Sequence, residues 1–190
     1  RDSYKIASFD LVNLPLIRKV ASTQKPIIIS TGMSYLSEVQ DALMEVAKCG
    51  NPNVILMQCT SSYPCPPETM NIKAIDTMKQ AFNGLPVGIS DHVIGDMVSL
   101  GAVARGGDII EKHFTLDKKM KGPDHASSIE PHELENLVEG CNAVFSARGS
   151  KKRIHKAEKE IISWARESVV SIETIKKGDR FSKNNISVKR

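Results

Sequence analysis

The sequence predicts an α/β fold, read as the C-terminal portion of a (β/α)8 TIM barrel, and three observations predict it. Short runs rich in β-branched residues alternate with helix-like segments; every run ends in polar or reactive side chains; and neither the GxGxxG fingerprint nor a P-loop occurs. Strands that are apolar throughout, separated by helices, indicate a parallel sheet covered by helices. The missing phosphate motifs weigh against a doubly wound nucleotide-binding sheet. In a barrel, by contrast, all strand ends converge on one rim, where reactive side chains belong.

The strands are expected in Tyr4–Ser8 ("YKIAS"), Pro26–Ser30 ("PIIIS"), Val54–Thr60 ("VILMQCT"), Pro86–Ser90 ("PVGIS") and Asp108–Phe114 ("DIIEKHF"). Helices are expected over Leu14–Ser22, Tyr35–Lys48, Ile72–Ala81 and Met97–Arg105. Within Tyr35–Lys48 the apolar Leu36, Val39, Leu43 and Val46 recur at three- and four-residue steps, and Gly50 supplies a stop. A fifth helix, Pro131–Ala147, starts at Glu130 and Pro131, good first-turn residues, and is read as the closing one. Five βα units imply three more upstream, so the sequence is expected to be part of a longer protein. Residues 1–148 are assigned to the barrel and 149–165 to a linker. Residues 166–190, with short β-rich runs around "KKGD", are assigned to the start of a small β-rich module.

Hydrophobic residues make up 41% of the chain and charged residues 25%, as in an ordinary globular domain. The net charge of +4 is mild. Its densest cluster, "SKKRIHK", lacks interleaved aromatics and reads as a solvated linker, so no nucleic-acid partner is expected. Cys49, Cys59, Cys65 and Cys141 show no CxxC pair or zinc-finger spacing, which suits a reducing, cytoplasmic setting. No signal peptide is expected, and no apolar run approaches the ~18 residues of a membrane span.

The rim chemistry centres on two histidines. His92 follows one strand and His113 ends the next, and neighbouring strands lie about 5 Å apart. Spacing leaves two readings open: ligands of one divalent ion, with room for water and substrate, or buried core histidines. Lys5, with Ser8, Ser30, Ser61 and Ser90, offers one cation and several hydroxyls suited to a phosphate or carboxylate. Each hydroxyl alone could equally cap a turn. Asp124, in Gly122-Pro123-Asp124, either caps a turn or carries a carboxylate toward a polyhydroxylated substrate.

The motifs "KIASFD", "IISTGM", "QCTSSYP", "GISDH", "EKHFTLD" and "GPDHASSIEP", in this order, resemble the sialic acid (nonulosonic acid) synthase family. The resemblance implies a TIM barrel followed by a small antifreeze-like (SAF) domain, in a domain-swapped homodimer. It implies condensation of phosphoenolpyruvate with N-acetylmannosamine or a related 2-acetamido hexose, with release of phosphate. His92 and His113 would hold Mn2+ or another divalent metal such as Mg2+. Lys5, Ser8, Ser30, Ser61, Tyr63 and Ser90 would line the phosphoenolpyruvate site, and Asp10 would position the attacking water. Asp124, Trp164 and Arg190 would meet the sugar, Arg190 from the second domain of the partner subunit. Three competitors remain: a legionaminic- or pseudaminic-type synthase, a metal-dependent hydrolase or aldolase on the same barrel, and a non-catalytic assembly or carbohydrate-binding piece. The aldolase would need a Schiff-base lysine, and Lys112 alternates with His113 and so should point away from the metal.

Overall fold

The computed structural model describes residues 2–190, which divide into two compact units, residues 2–149 and 150–190. The first holds five parallel strands: β1 (Tyr4–Ile6), β2 (Ile27–Ser30), β3 (Val54–Cys59), β4 (Val87–Asp91) and β5 (Ile110–Lys112). Their order in the sheet is their order in the chain. Right-handed crossovers that always step the same way put every connecting helix on one face. A doubly wound sheet would reverse direction partway and cover both faces. The connecting helices are α1 (Leu14–Ala21), α2 (Leu36–Lys48), α3 (Ala74–Ala81) and α4 (Met97–Ala104), and α5 (Pro131–Arg148) follows β5.

Register sorts the strand residues into two layers. Ile6, Ile27, Ile29, Val54, Leu56, Val87 and Ile89 point outward and form the main core with Ile17, Val20, Val39, Val46, Ile75 and Met78 of the helices. The alternate residues point to the other face: Lys5 aligns with Ile28, Ile28 with Ile55, Met57 with Gly88, Cys59 with Ser90, and Ser90 with Glu111. Lys5 and Glu111 stand on the two opposite edge strands, yet Lys5 Nζ lies 2.7 Å from Glu111 Oε1. Four strand steps across a flat sheet span about 19 Å, more than the two side chains can bridge. The sheet is therefore curled into a half-barrel, concave on the polar side.

Gly88 is required by close approach. A Cβ there would fall 2.3 Å from the carbonyl oxygen of Ile109, the acceptor of the Ile89 N–H. The fifth strand is shorter than the sequence suggests. Beyond Lys112 the chain leaves β4: Phe114 bridges to Ile129, and the Ile129 N–H donates to the His113 carbonyl. At the start of α5, Glu130 and Glu133 form a capping box beside Pro131.

The second unit contains α6 (Lys156–Ala165) and an antiparallel pair, β6 (Ser168–Ser171) with β7 (Ile186–Lys189). The stretch read as linker thus carries a helix, capped by the Glu158 carboxylate on the His155 N–H.

Gly88→Ala is expected to destabilise the first unit by about 1–3 kcal/mol through overpacking against β5. Urea unfolding of the two proteins measures the difference.

Candidate functional site

The C-terminal ends of the five strands and their following loops line an open cavity of about 460 Å3 on the concave side. Strand β1 and its loop contribute Lys5 and Ser8, β2 contributes Ser30, the loop after β3 contributes Ser61 and Tyr63, β4 leads in Ser90 and His92, and His113 follows β5. Period-two alternation explains the gathering, because each of the in-strand residues shares the inward parity. A neighbouring cavity of about 570 Å3, beside the first turns of α2 and α3, holds neither an imidazole nor an ammonium group.

The two imidazoles and the Tyr63 phenol form a cluster of rings. His92 and His113 have centroids 5.2 Å apart, and Tyr63 lies 4.2 Å from His92 and 5.7 Å from His113. His92 Nδ1 donates to the Thr60 carbonyl at 2.9 Å, which leaves Nε2 as the lone-pair nitrogen. A carbonyl behind one ring nitrogen is the usual way a ligating histidine is oriented. Burial works against a charge on His92, but hydrogen bonding to Cys59 and to Thr60 outweighs it and holds its pKa above the ordinary value. Burial also pushes the Tyr63 phenol up, as do the charges around it, so Tyr63 enters as a neutral donor.

The same cavity holds a charged and hydroxyl-bearing group of side chains. Lys5 donates to both Glu111 oxygens, at 2.7 and 2.8 Å, and the Ser90 hydroxyl donates to Glu111 Oε1 at 2.7 Å. Burial pushes the Glu111 carboxyl up, yet the bonds from Lys5 and Ser90 prevail and hold it below the ordinary value. Ser30, only 2% exposed, has a hydroxyl oxygen with no hydrogen-bond partner. A buried hydroxyl without a partner is costly and calls for a ligand or water. The Gly32 N–H donates to Ser8 Oγ at 3.0 Å. A Cβ on Gly32 would fall 2.5 Å from Ser61 Oγ and 2.8 Å from Ser8 Oγ, so glycine keeps both hydroxyls in place.

The remaining expected residues fall elsewhere. Asp10 ends a short 3-10 turn after β1 and is not among the side chains lining the cavity. Asp124 stands at the lip, its Oδ2 3.9 Å from His113 Nδ1, while its carbonyl accepts the Ser127 and Ser128 hydroxyls. Trp164, exposed on α6, and Arg190, after β7, belong to the second unit. Lys112 points away from the rings, as alternation requires, and its ammonium is paired with Asp91.

Sequence reasoning missed Glu111, and it set Cys59 at a strand end without giving it a role. Glu111 was legible, since it lies two residues before His113 and so shares its face. Cys59 sits within reach of Ser8, whose hydroxyl donates to the sulfur at 3.5 Å. Burial raises its pKa, and hydrogen bonding to His92 and Ser8 more than reverses that. Its parity places it beside Ser90, but nothing in its local sequence distinguishes it from a core cysteine.

Two outcomes are expected. If the serine hydroxyls receive a phosphate, Gly32→Ala keeps the melting temperature within a few degrees, because hydroxyls can rotate away, but weakens inorganic phosphate binding about tenfold in calorimetry, near 1.4 kcal/mol. Lys5→Met raises the Glu111 titration midpoint in carboxyl-carbon NMR. The folded value lies below the ordinary 4.5, so the pair's contribution to stability is complete above that pH. It is lost as pH falls through the folded midpoint.

Comparison with known proteins places the chain. The NeuB family pattern matches residues 1–153. An uncharacterized protein of Methanocaldococcus jannaschii is 47% identical over 99% of this chain and 56% of its own length. The N,N'-diacetyllegionaminic acid synthase of Campylobacter jejuni is 45% identical over 98% of this chain and 57% of its own. The crystal structure of N-acetylneuraminic acid (sialic acid) synthetase from Leptospira borgpetersenii, in complex with citrate, superposes with a TM-score of 0.79 at 36% identity. It covers 86% of this chain and 57% of that one. The chain spans about half the length of the curated relatives it matches. By the family match over residues 1–153 and by these identities, this chain belongs to the NeuB family.

Proposed function

We propose that this chain carries the anion site and the imidazole pair of a nonulosonate synthase. The reaction is condensation of phosphoenolpyruvate with N-acetylmannosamine or a related 2-acetamido hexose. A C–C bond joins the enol carbon to the sugar aldehyde, water adds at the neighbouring carbon, and phosphate leaves. The observation that carries this reading is the meeting of Lys5, Ser8, Ser30, Ser61 and Ser90 with His92 and His113 in one cavity, where the Ser30 hydroxyl lacks a partner.

Lys5 supplies the charge for the phosphate or carboxylate, turning from Glu111 to the incoming anion. The hydroxyls of Ser8, Ser30, Ser61 and Ser90 fix its orientation, so that the enol carbon faces the rings. Glu111 is the single carboxylate among the side chains lining the cavity. Once Lys5 turns away, it is a base placed to accept a proton from the attacking water. Asp124 meets the sugar at the lip, and the Tyr63 phenol donates into the same space.

The residues fit a divalent ion as an open site. The His92 and His113 rings lie 5.2 Å apart and His92 Nδ1 is tied to the Thr60 carbonyl, so these two would be its protein ligands. No group of three His, Cys, Asp or Glu side chains that could hold a metal occurs among the described residues, and water or substrate would complete the shell. Mn2+ or Mg2+ held there would polarise the aldehyde oxygen of the acceptor.

The complete protein is proposed to close this half-barrel with further βα units, and the second unit to be the start of an SAF domain. Trp164 and Arg190 are proposed to reach the sugar within a domain-swapped homodimer in the cytoplasm. Among the described residues no helix is long and apolar enough to cross a membrane. A second reading is favoured by the 45% identity to the Campylobacter jejuni relative: the acceptor is then a 2,4-diacetamido sugar, leading to a legionaminic-type acid.

Phosphate release from phosphoenolpyruvate in Mn2+, with each acceptor offered separately to the complete protein, is expected with one of the two and is abolished by chelation. Release with neither acceptor would remove the synthase reading. His113→Ala is expected to lower the rate at least about 100-fold, while leaving inorganic phosphate binding within about threefold.

A further inference from the structure

We propose that Lys112 and Asp91, paired behind the cavity, are positioning residues that hold the His113-bearing end of β5 against His92. The inference rests on the reading of the two imidazoles as a pair serving one ion. Asp91 and Lys112 are cross-strand neighbours on the outward face, directly behind Ser90 and Glu111 on the inward one. Their side chains are 0% and 4% exposed, and Nζ lies 2.9 Å from Asp91 Oδ2. The same ammonium donates to the Val93 carbonyl. One side chain adjacent to His113 thus grips the residues on either side of His92. Asp91 is itself fixed by the Ser99 hydroxyl of α4 at 2.6 Å and by the Val93 N–H at 2.8 Å.

This end of β5 needs a tie. The strand has three residues, pairs only with β4, and stands at the edge of the sheet. The His92 ring is oriented by the Thr60 carbonyl. The charged neighbour of His113, Asp124, is 3.9 Å away, too far for a hydrogen bond. The position of His113 is therefore set by its backbone, which is held by the Ile129 N–H on the His113 carbonyl and, toward β4, by the Lys112 anchor. A buried pair that served the fold alone is often exchangeable for apolar groups at little cost; here the exchange is expected to free the His113 end of β5.

The test is the double substitution Asp91→Asn with Lys112→Met, which removes both charges and keeps the volume. Two readouts are taken on the protein labelled at histidine and tyrosine: ring-to-ring NOEs among Tyr63, His92 and His113 without metal, and Mn2+ affinity by electron paramagnetic resonance. The expected result is a melting temperature within a few degrees of the parent, loss of the His113 NOEs with retention of Tyr63–His92, and an Mn2+ affinity lower by about 10–100-fold. Retained His113 NOEs in the folded variant overturn the proposal, whatever the Mn2+ affinity. Loss of the NOEs in a protein whose parent binds no Mn2+ upholds the positioning role and overturns the metal reading instead. Should the double variant fail to fold, Ser99→Ala loosens Asp91 alone, and the same NOEs are expected to weaken. NOEs of unchanged strength there overturn the proposal.

Discussion

The alternation of side chains along a parallel strand governs everything built on this sheet. Each strand must bury its outward residues under a helix, and the run from Ile6 through Ile27, Ile29, Leu56, Val87 and Ile89 does so. Their neighbours are then committed to the other face, whatever their chemistry. The polar residues near the strand ends, Lys5, Ser30, Cys59, Ser90 and Glu111, become one surface because the apolar residues between them are needed elsewhere. Stability and reactivity share strands here without sharing a layer.

Strand order turns that surface into a cavity. Since each unit steps in the same direction, all helices crowd one face and the sheet curls away from them. Curvature brings β1 and β5, the first and last strands of the sheet, within reach of a single ion pair. The pair then links the two edges that a flat sheet would keep farthest apart. Among the described residues of the half-barrel, this charged contact reads the curvature directly.

Much of this was legible from residues alone. The strands were found because Ile27–Ile29 and Val54–Met57 are apolar on both parities, and α2 because of its three- and four-residue periodicity. The gathering of His92, His113, Lys5 and the serines followed from their common place at strand ends. Glu111 escaped attention because its strand was read for its histidine and its lysine, although parity alone sets it beside Ser90. The buried contact between Lys112 and Asp91 could not be read, since it depends on the register of two strands and on a serine from α4. The shortness of β5 was hidden for a similar reason: pairing beyond Lys112 passes to Ile129, on a segment distant in sequence. Trp164 and Arg190 were assigned by resemblance only, and no periodicity or spacing points to them.

The contact between Lys5 and Glu111 has a consequence for discrimination among anions. The cation at the bottom of the cavity already has a bidentate partner, steadied by a serine hydroxyl. A newcomer must outbid that carboxylate. Chloride or acetate brings one charge and gains little by the exchange. A phosphate monoester carries nearly two charges and three strong acceptors, enough to meet Lys5 and the waiting Ser30 hydroxyl together. On the proposed synthase reading, the resident carboxylate thus acts as a threshold that favours a ligand of higher charge over common solutes.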